Sequence, residues 1–396
     1  MPMFARKYAV QCDTCHAAIP RLNFAGFKFK AAGFRMPWEV DKEQDAALLK
    51  LENYTAFIAV LSAPLETQAD QASQTSTTTV STSGDEIDVH PMTGSWGKSW
   101  AGNFELDALS SGSVNLNQAA LSFTAGSADS FETVQAGVTP NLLGFGPLDR
   151  PAGVSSPLIL SASAGNSTID TLFGWSSPRA AGFTGSFWWG DSYLSLSLRN
   201  RLAATGSGLD ALGGSGHMGD ALLTATQFLD HVGSGSALSL FYYKGLTRIP
   251  TAIGSNGDYD NSYNHVGLAA NKYVSDRINV LAGGAWNADQ RFDVATAGSD
   301  QNLHSYGTFG GVEYFWSPTL MAGGRFDQFR SDTGTPDTMT LGGAGYVNWH
   351  VMDWVILAAE LQYLHNERNT GLAGGVNGAT GAVDQYDLTA LANVAF

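Results

Sequence analysis

From about residue 50 to its last residue, this chain places apolar side chains at every second position, and no other feature constrains its fold as strongly. Tyr54, Ala56, Ile58 and Val60 share one face of a strand, and Val266, Leu268 and Ala270 one face of another. At the end of the chain Tyr386, Leu388, Ala390, Ala392, Val394 and Phe396 oppose Gln385, Asp387, Thr389, Leu391, Asn393 and Ala395. A period of two sends successive side chains to opposite faces of a strand, whereas an amphipathic helix needs a period near 3.6. No run approaches the roughly 18 to 20 apolar residues of a membrane-spanning helix. The longest candidate, Val355 to Ala359, belongs to the alternating pattern. Any membrane crossing therefore falls to strands of about ten residues each.

Alternation alone also suits a soluble β-sandwich. Two features favour a membrane barrel. Trp100, Trp188, Trp189, Trp286, Trp316, Trp349 and Trp354 stand near strand ends, as interfacial aromatic girdles require. Short turns such as Trp316-Ser-Pro-Thr and His350-Val-Met-Asp alternate with longer polar stretches at 203–218, 247–260 and 366–382. The expectation is a mainly β protein: a 16-stranded barrel over residues 49–396, in a lipid bilayer at the bacterial outer membrane. Only 14% of residues are charged and 46 are glycine, which suits many strands and tight turns. Residues 70–86 read either as a polar loop or as a lumen-facing strand, and 142–166 as a loop with a short helix.

Residues 1–48 differ. Ala17 to Phe34 carries Ile19, Leu22, Phe24, Phe27, Ala31 and Phe34 near a helical period. So short a segment has little core of its own, and a flat apolar cofactor is a natural filler. Charge divides the chain the same way. Residues 1–50 hold eight basic groups against five acids, a net of +3, while the remainder carries −18. The acidic part excludes nucleic acid as a partner and suits cations or basic proteins. The first residues lack the apolar core of a secretory signal, so the expectation is a mature exported chain.

The two cysteines fall in one motif, Cys12-Asp-Thr-Cys15-His16. Two intervening residues make a small, strained disulfide ring, and the adjacent histidine points to covalent attachment of one haem c. Thioethers at Cys12 and Cys15 would fix the ring, with His16 ligating iron from one face. The other ring nitrogen of His16 needs an acceptor, and the Pro20 carbonyl region is in reach. For the second axial position Met36 is the candidate, against the alternative that it only fills a core; His90, Met92 and His217 follow. Arg6, Lys7, Arg21 and Arg35 are candidates to neutralise the haem propionates. The basic module against an acidic barrel suggests a plug in the lumen.

The stretch Phe4-Ala-Arg-Lys-Tyr-Ala-Val-Gln-Cys-Asp-Thr-Cys-His-Ala-Ala-Ile-Pro-Arg-Leu-Asn, followed by Phe27-Lys-Phe-Lys-Ala-Ala-Gly-Phe, resembles the fused cytochrome–porins of the bacterial outer membrane. The resemblance covers roughly residues 4–36; the rest agrees in length, pattern and terminal Phe396. It implies a monohaem electron-transfer protein, with a periplasmic c-type cytochrome or other redox protein as partner and Fe(II) among the possible donors. An Fe(II):cytochrome c oxidoreductase activity is one form this could take. The contrasting expectation is a solute channel whose haem segment is a structural plug.

Overall fold

A computed structural model describes residues 2–18, 21–44, 49–70, 75–80, 86–109, 114–138, 158, 181–200, 220–230, 235–249, 259–293, 299–332, 338–352, 354–366 and 382–395. Sixteen antiparallel strands close into a barrel. They are β1 (Ala56–Asp70), β2 in two pieces (Thr75–Val80 and Glu86–His90), β3 (Trp100–Leu109), β4 (Val114–Gly126) and β5 (Ser130–Val138). Next come β6 (Ala181–Trp189), β7 (Ser192–Asn200), β8 (Asp220–Asp230), β9 (Ser236–Ile249), β10 (Tyr259–Ser275) and β11 (Ile278–Asp293). The last are β12 (Ser299–Ser317), β13 (Leu320–Asp332), β14 (Thr338–Met352), β15 (Val355–Asn366) and β16 (Val383–Ala395). Each strand pairs with its sequence neighbour, and β16 closes on β1 with Leu388 opposite Leu65. Both pieces of β2 pair with β1, so part of 70–86 is strand.

Alternation separates the two faces. Leu194, Leu196 and Leu198 of β7 point outward and are exposed, while Ser195, Ser197 and Arg199 between them are buried in the lumen. An apolar outer band and a polar interior are the architecture of an outer-membrane barrel, whose setting is the lipid bilayer. The outward tryptophans are as expected: Trp100, Trp189, Trp286, Trp316, Trp349 and Trp354 are all exposed. Trp188 is the exception. It is fully buried and faces the lumen, because Phe187-Trp188-Trp189 is apolar on both parities and periodicity alone does not choose its side.

The two rims also differ. On one, Trp189 and Ser192, Ser275 and Ile278, and Ser317 and Leu320 are joined by only two residues. At Gly190 the turn has φ +58°, a conformation favouring glycine in two-residue hairpins. The connections 139–180, 201–219, 250–258 and 367–381 leave the other rim and lie outside the described residues apart from Leu158. Of the stretch 247–260 expected as loop, Thr247–Ile249 and Tyr259–Asp260 belong to β9 and β10. In outer-membrane barrels short turns mark the periplasmic rim.

The N-terminal residues fill the short-turn end of the lumen. They form α1 (Pro2–Tyr8), a 3-10 turn (Cys12–Thr14), a small ribbon pairing His16–Ala18 with Arg21–Leu22, and α2 (Phe24–Ala31). The helix is shorter than the apolar spacing from Ala17 to Phe34 predicts. Asn23 starts it, accepting a hydrogen bond from the Gly26 N–H at 2.9 Å, and the ribbon occupies the residues before. The Phe34 N–H reaches the Phe29 carbonyl at 3.0 Å, with Gly33 and Phe34 both at positive φ, so the chain turns back along α2.

Candidate functional site

The module is bonded and packed to the inner wall at points that all lie near the short-turn ends of strands. Phe27 is fully buried against Trp188, Tyr193 and Phe228, and Phe24 meets Trp188 and Phe228 edge-on. The Thr124 and Thr133 hydroxyls donate to the carbonyls of Ala32 and Ala31 at 3.3 and 2.9 Å. Arg21 Nη1 meets Glu313 Oε1 at 2.6 Å, with both side chains withdrawn from solvent. Tyr346 and Asn279 donate to the same carboxylate. Such a pair specifies a docking position, because either partner alone would be a buried charge.

Within this seat the Cys-Asp-Thr-Cys-His segment is tightly held. The Asn23 amide donates to the carbonyls of Asp13 and Thr14 at 3.0 and 3.1 Å, and the Asn23 N–H to that of Cys15 at 3.0 Å. Gly26 presses on the Cys15 carbonyl so closely that a Cβ there would overlap it. Cys12 and Cys15 carry no disulfide and are half-buried. Cys12 opens the 3-10 turn and Cys15 closes it, its N–H donating to the Cys12 carbonyl at 3.2 Å. Burial pushes the Cys15 thiol up to about 11, away from the acidic thiolates of catalytic cysteines. His16 follows directly at the start of the ribbon, and Asp13 lies near His350 at the short-turn end of β14.

Met36 is buried with Phe29 and Phe34, and Phe4, Tyr8 and Val10 pack against them. The Met36 N–H donates to Glu39 Oε2 at 3.3 Å. This apolar wall includes Val10, two residues before Cys12, and so borders the cysteine turn. Arg35 is fully buried; its Nη2 donates to the carbonyls of Trp96, Gly97 and Trp100, while Nε and Nη1 have no hydrogen-bond partner.

The other expected residues are placed differently. Arg6, expected beside a propionate, is exposed and donates to the carbonyls of Glu52 and Thr55, both at 3.0 Å. Arg21 is committed to Glu313 through Nη1. Lys7 is buried and donates to the Ser95 carbonyl at 3.0 Å and the Tyr54 hydroxyl at 3.3 Å; burial lowers it to about 8. His90 faces the lumen on β2, and Met92 is exposed in the turn beyond it. Pro20 and His217 lie outside the described residues. Sequence reasoning missed Glu313, Trp188, Tyr193 and Phe228. An aromatic at an inward parity near a short turn is the signal that marks this seat.

The donor set suits a covalent haem on three counts: two thiols at the ends of one 3-10 turn, a histidine directly after them, and buried Arg35 N–H groups left for an acid.

The sequence matches no family model and no curated protein sequence. Among solved structures the chain resembles the anion-selective porin of Comamonas acidovorans, with 12% identity and TM-score 0.60 over 86% of this chain and 99% of that one. OmpT of Vibrio cholerae gives 12% identity and TM-score 0.55 over 86% and 99%. The channel DcaP of Acinetobacter baumannii gives 12% and 0.54 over 86% and 97%. These likenesses establish a porin-like barrel fold.

Proposed function

We propose that the protein is an outer-membrane electron carrier with one haem c on its lumenal plug. In this reading it moves electrons between an extracellular donor and a periplasmic cytochrome or other redox protein. The observation that carries the reading is the Cys12–His16 turn, with a cysteine at each end of one 3-10 turn, held by Asn23 and Gly26 at the short-turn end of the lumen. Bound there, haem would supply one-electron chemistry at iron. Cys12 and Cys15 would hold it and His16 would ligate its iron. Met36 would offer a soft thioether, which favours reduced iron and raises the potential. The unpartnered N–H groups of Arg35 would neutralise a propionate. One haem is small against a hydrocarbon layer about 30 Å thick, so the donor must enter the lumen from the long-loop rim. Fe(II) is the donor chemistry the sequence resemblance favours.

A second reading, a solute channel with a structural plug, draws on the porin-like fold and on the polar lumen beyond the plug. Liposome reconstitution separates the two. Electron transfer to an enclosed acceptor that depends on Cys12 and Cys15, with slow solute flux, supports the carrier. Solute flux indifferent to Cys12→Ala, without electron transfer, supports the channel.

A further inference from the structure

On the lumen wall beside β2, Asp88 stands directly opposite Asp107 of β3 in the strand register. His90 and Glu105, two residues along each strand, share the same inward face. Ile87, next to Asp88 on the opposite parity, points outward and is half exposed. Like charges directly opposite on paired strands are destabilising, and more so away from water. Here Asp107 and Glu105 are buried, and carboxylate oxygens of Asp88, Glu105 and Asp107 all lie within 4.8 Å of one another.

An acidic cluster alone does not make a site. His90 supplies an independent observation. Its side chain is only 2% exposed and its Nδ1 has no hydrogen-bond partner. That nitrogen is aimed into the cluster, 3.9 Å from Glu105 Oε2. The imidazole is thus a buried donor facing one of the carboxylates. Donors each about 2.0 to 2.4 Å from one ion stand at most roughly 4.8 Å apart, so the three carboxylates are within reach of a single cation, with the His90 imidazole beside Glu105 at their edge.

We infer that His90, Asp88, Glu105 and Asp107 form a lumenal binding site for a first-row divalent transition-metal ion. An imidazole among carboxylates selects such ions over calcium or magnesium, which take oxygen ligands. The ion also offsets the repulsion that the strand register builds in. Gln118, which donates to Glu105 and accepts from Asn103, holds the glutamate in position. The inference is independent of the haem reading, since none of these residues belongs to the plug.

The test uses the full chain in detergent, stripped with chelator and titrated with Mn2+. Expected are one tightly held Mn2+ per chain, a nitrogen hyperfine coupling in its paramagnetic resonance, and a higher unfolding temperature with metal than without. His90→Gln should remove the nitrogen coupling, and D107N should weaken binding at least tenfold, with folding verified by heat-modifiable gel mobility. Should either variant fail to fold, the wild-type stoichiometry and nitrogen coupling decide. Absence of saturable Mn2+ binding in the folded wild type would overturn the site, as would unchanged affinity and coupling in the folded variants.

Discussion

On β6, β7 and β8 the lumenal face changes character from one end to the other. Toward the short turns, Trp188, Tyr193 and Phe228 point inward and meet Phe24 and Phe27 of the plug. A few residues further along the same faces stand Ser197 and Thr224, and beyond them Arg199 lies opposite Asp220, which accepts a hydrogen bond of 2.7 Å from the Tyr243 hydroxyl. An inward apolar patch is costly against water and favourable against protein, so its position locates the plug. The long-loop ends of these three strands are mainly polar, with Leu222 buried among them, and on other strands of that half Phe329 and Leu364 also point inward. The plug is thus part of the fold at one rim.

The ion pair between plug and wall gives the sharpest way to break this contrast. Arg21→Ala leaves Glu313 buried without its partner, and docking should weaken by about 3 to 5 kcal/mol. Hydrogen exchange of the α2 amides should then approach that of an undocked segment while barrel amides stay protected. Replacing both residues by methionine should recover much of the loss, since the repaired site holds no lone charge. If Arg21→Ala leaves exchange in α2 unchanged, the pair does not hold the plug.

A smaller effect is expected inside the module. Gly26→Ala introduces a methyl where the Cys15 carbonyl already sits, and overpacking of this kind costs about 1 to 3 kcal/mol. Chemical denaturation monitored within the module should show that loss, with the barrel transition unmoved.

The smallest effect is a pH dependence. Burial lowers Lys7 from 10.5 to about 8, so between those values the unfolded module binds the more protons. Stability of docking should therefore rise from pH 8 toward 9, above which the raised Cys15 thiol opposes the rise. Above about 10 the trend should reverse, because Tyr54 is held up near 12 by burial while an unfolded tyrosine ionises. Lys7→Met should flatten the rise below pH 10; an unchanged profile in that variant would assign the rise elsewhere.

Much of this organisation is legible in the residues. The two-residue period reveals the strands and their outer face, because burial in lipid acts on each residue separately. The Cys-Asp-Thr-Cys-His motif is equally local. What stays hidden depends on register and distant partners. Arg21 and Glu313 are separated by 292 positions, and nothing near either indicates the other. The opposition of Asp88 and Asp107 appears only once β2 and β3 are aligned. Trp188 was ambiguous because its neighbours are aromatic on both sides. The helix expected through Ala17–Phe34 is cut short by Asn23, whose side chain caps α2 and ties it to the cysteine turn.

The account centres on a haem-bearing plug, and the most direct test is the mass of the folded, purified chain after acid–acetone extraction. Covalent attachment predicts that the wild type keeps the added mass of one haem and an absorbing reduced spectrum in the same sample. It also predicts that Cys12→Ala with Cys15→Ala loses both while still running as a heat-modifiable barrel. A wild-type chain at its bare polypeptide mass, isolated from cells competent to attach haem, would contradict the account.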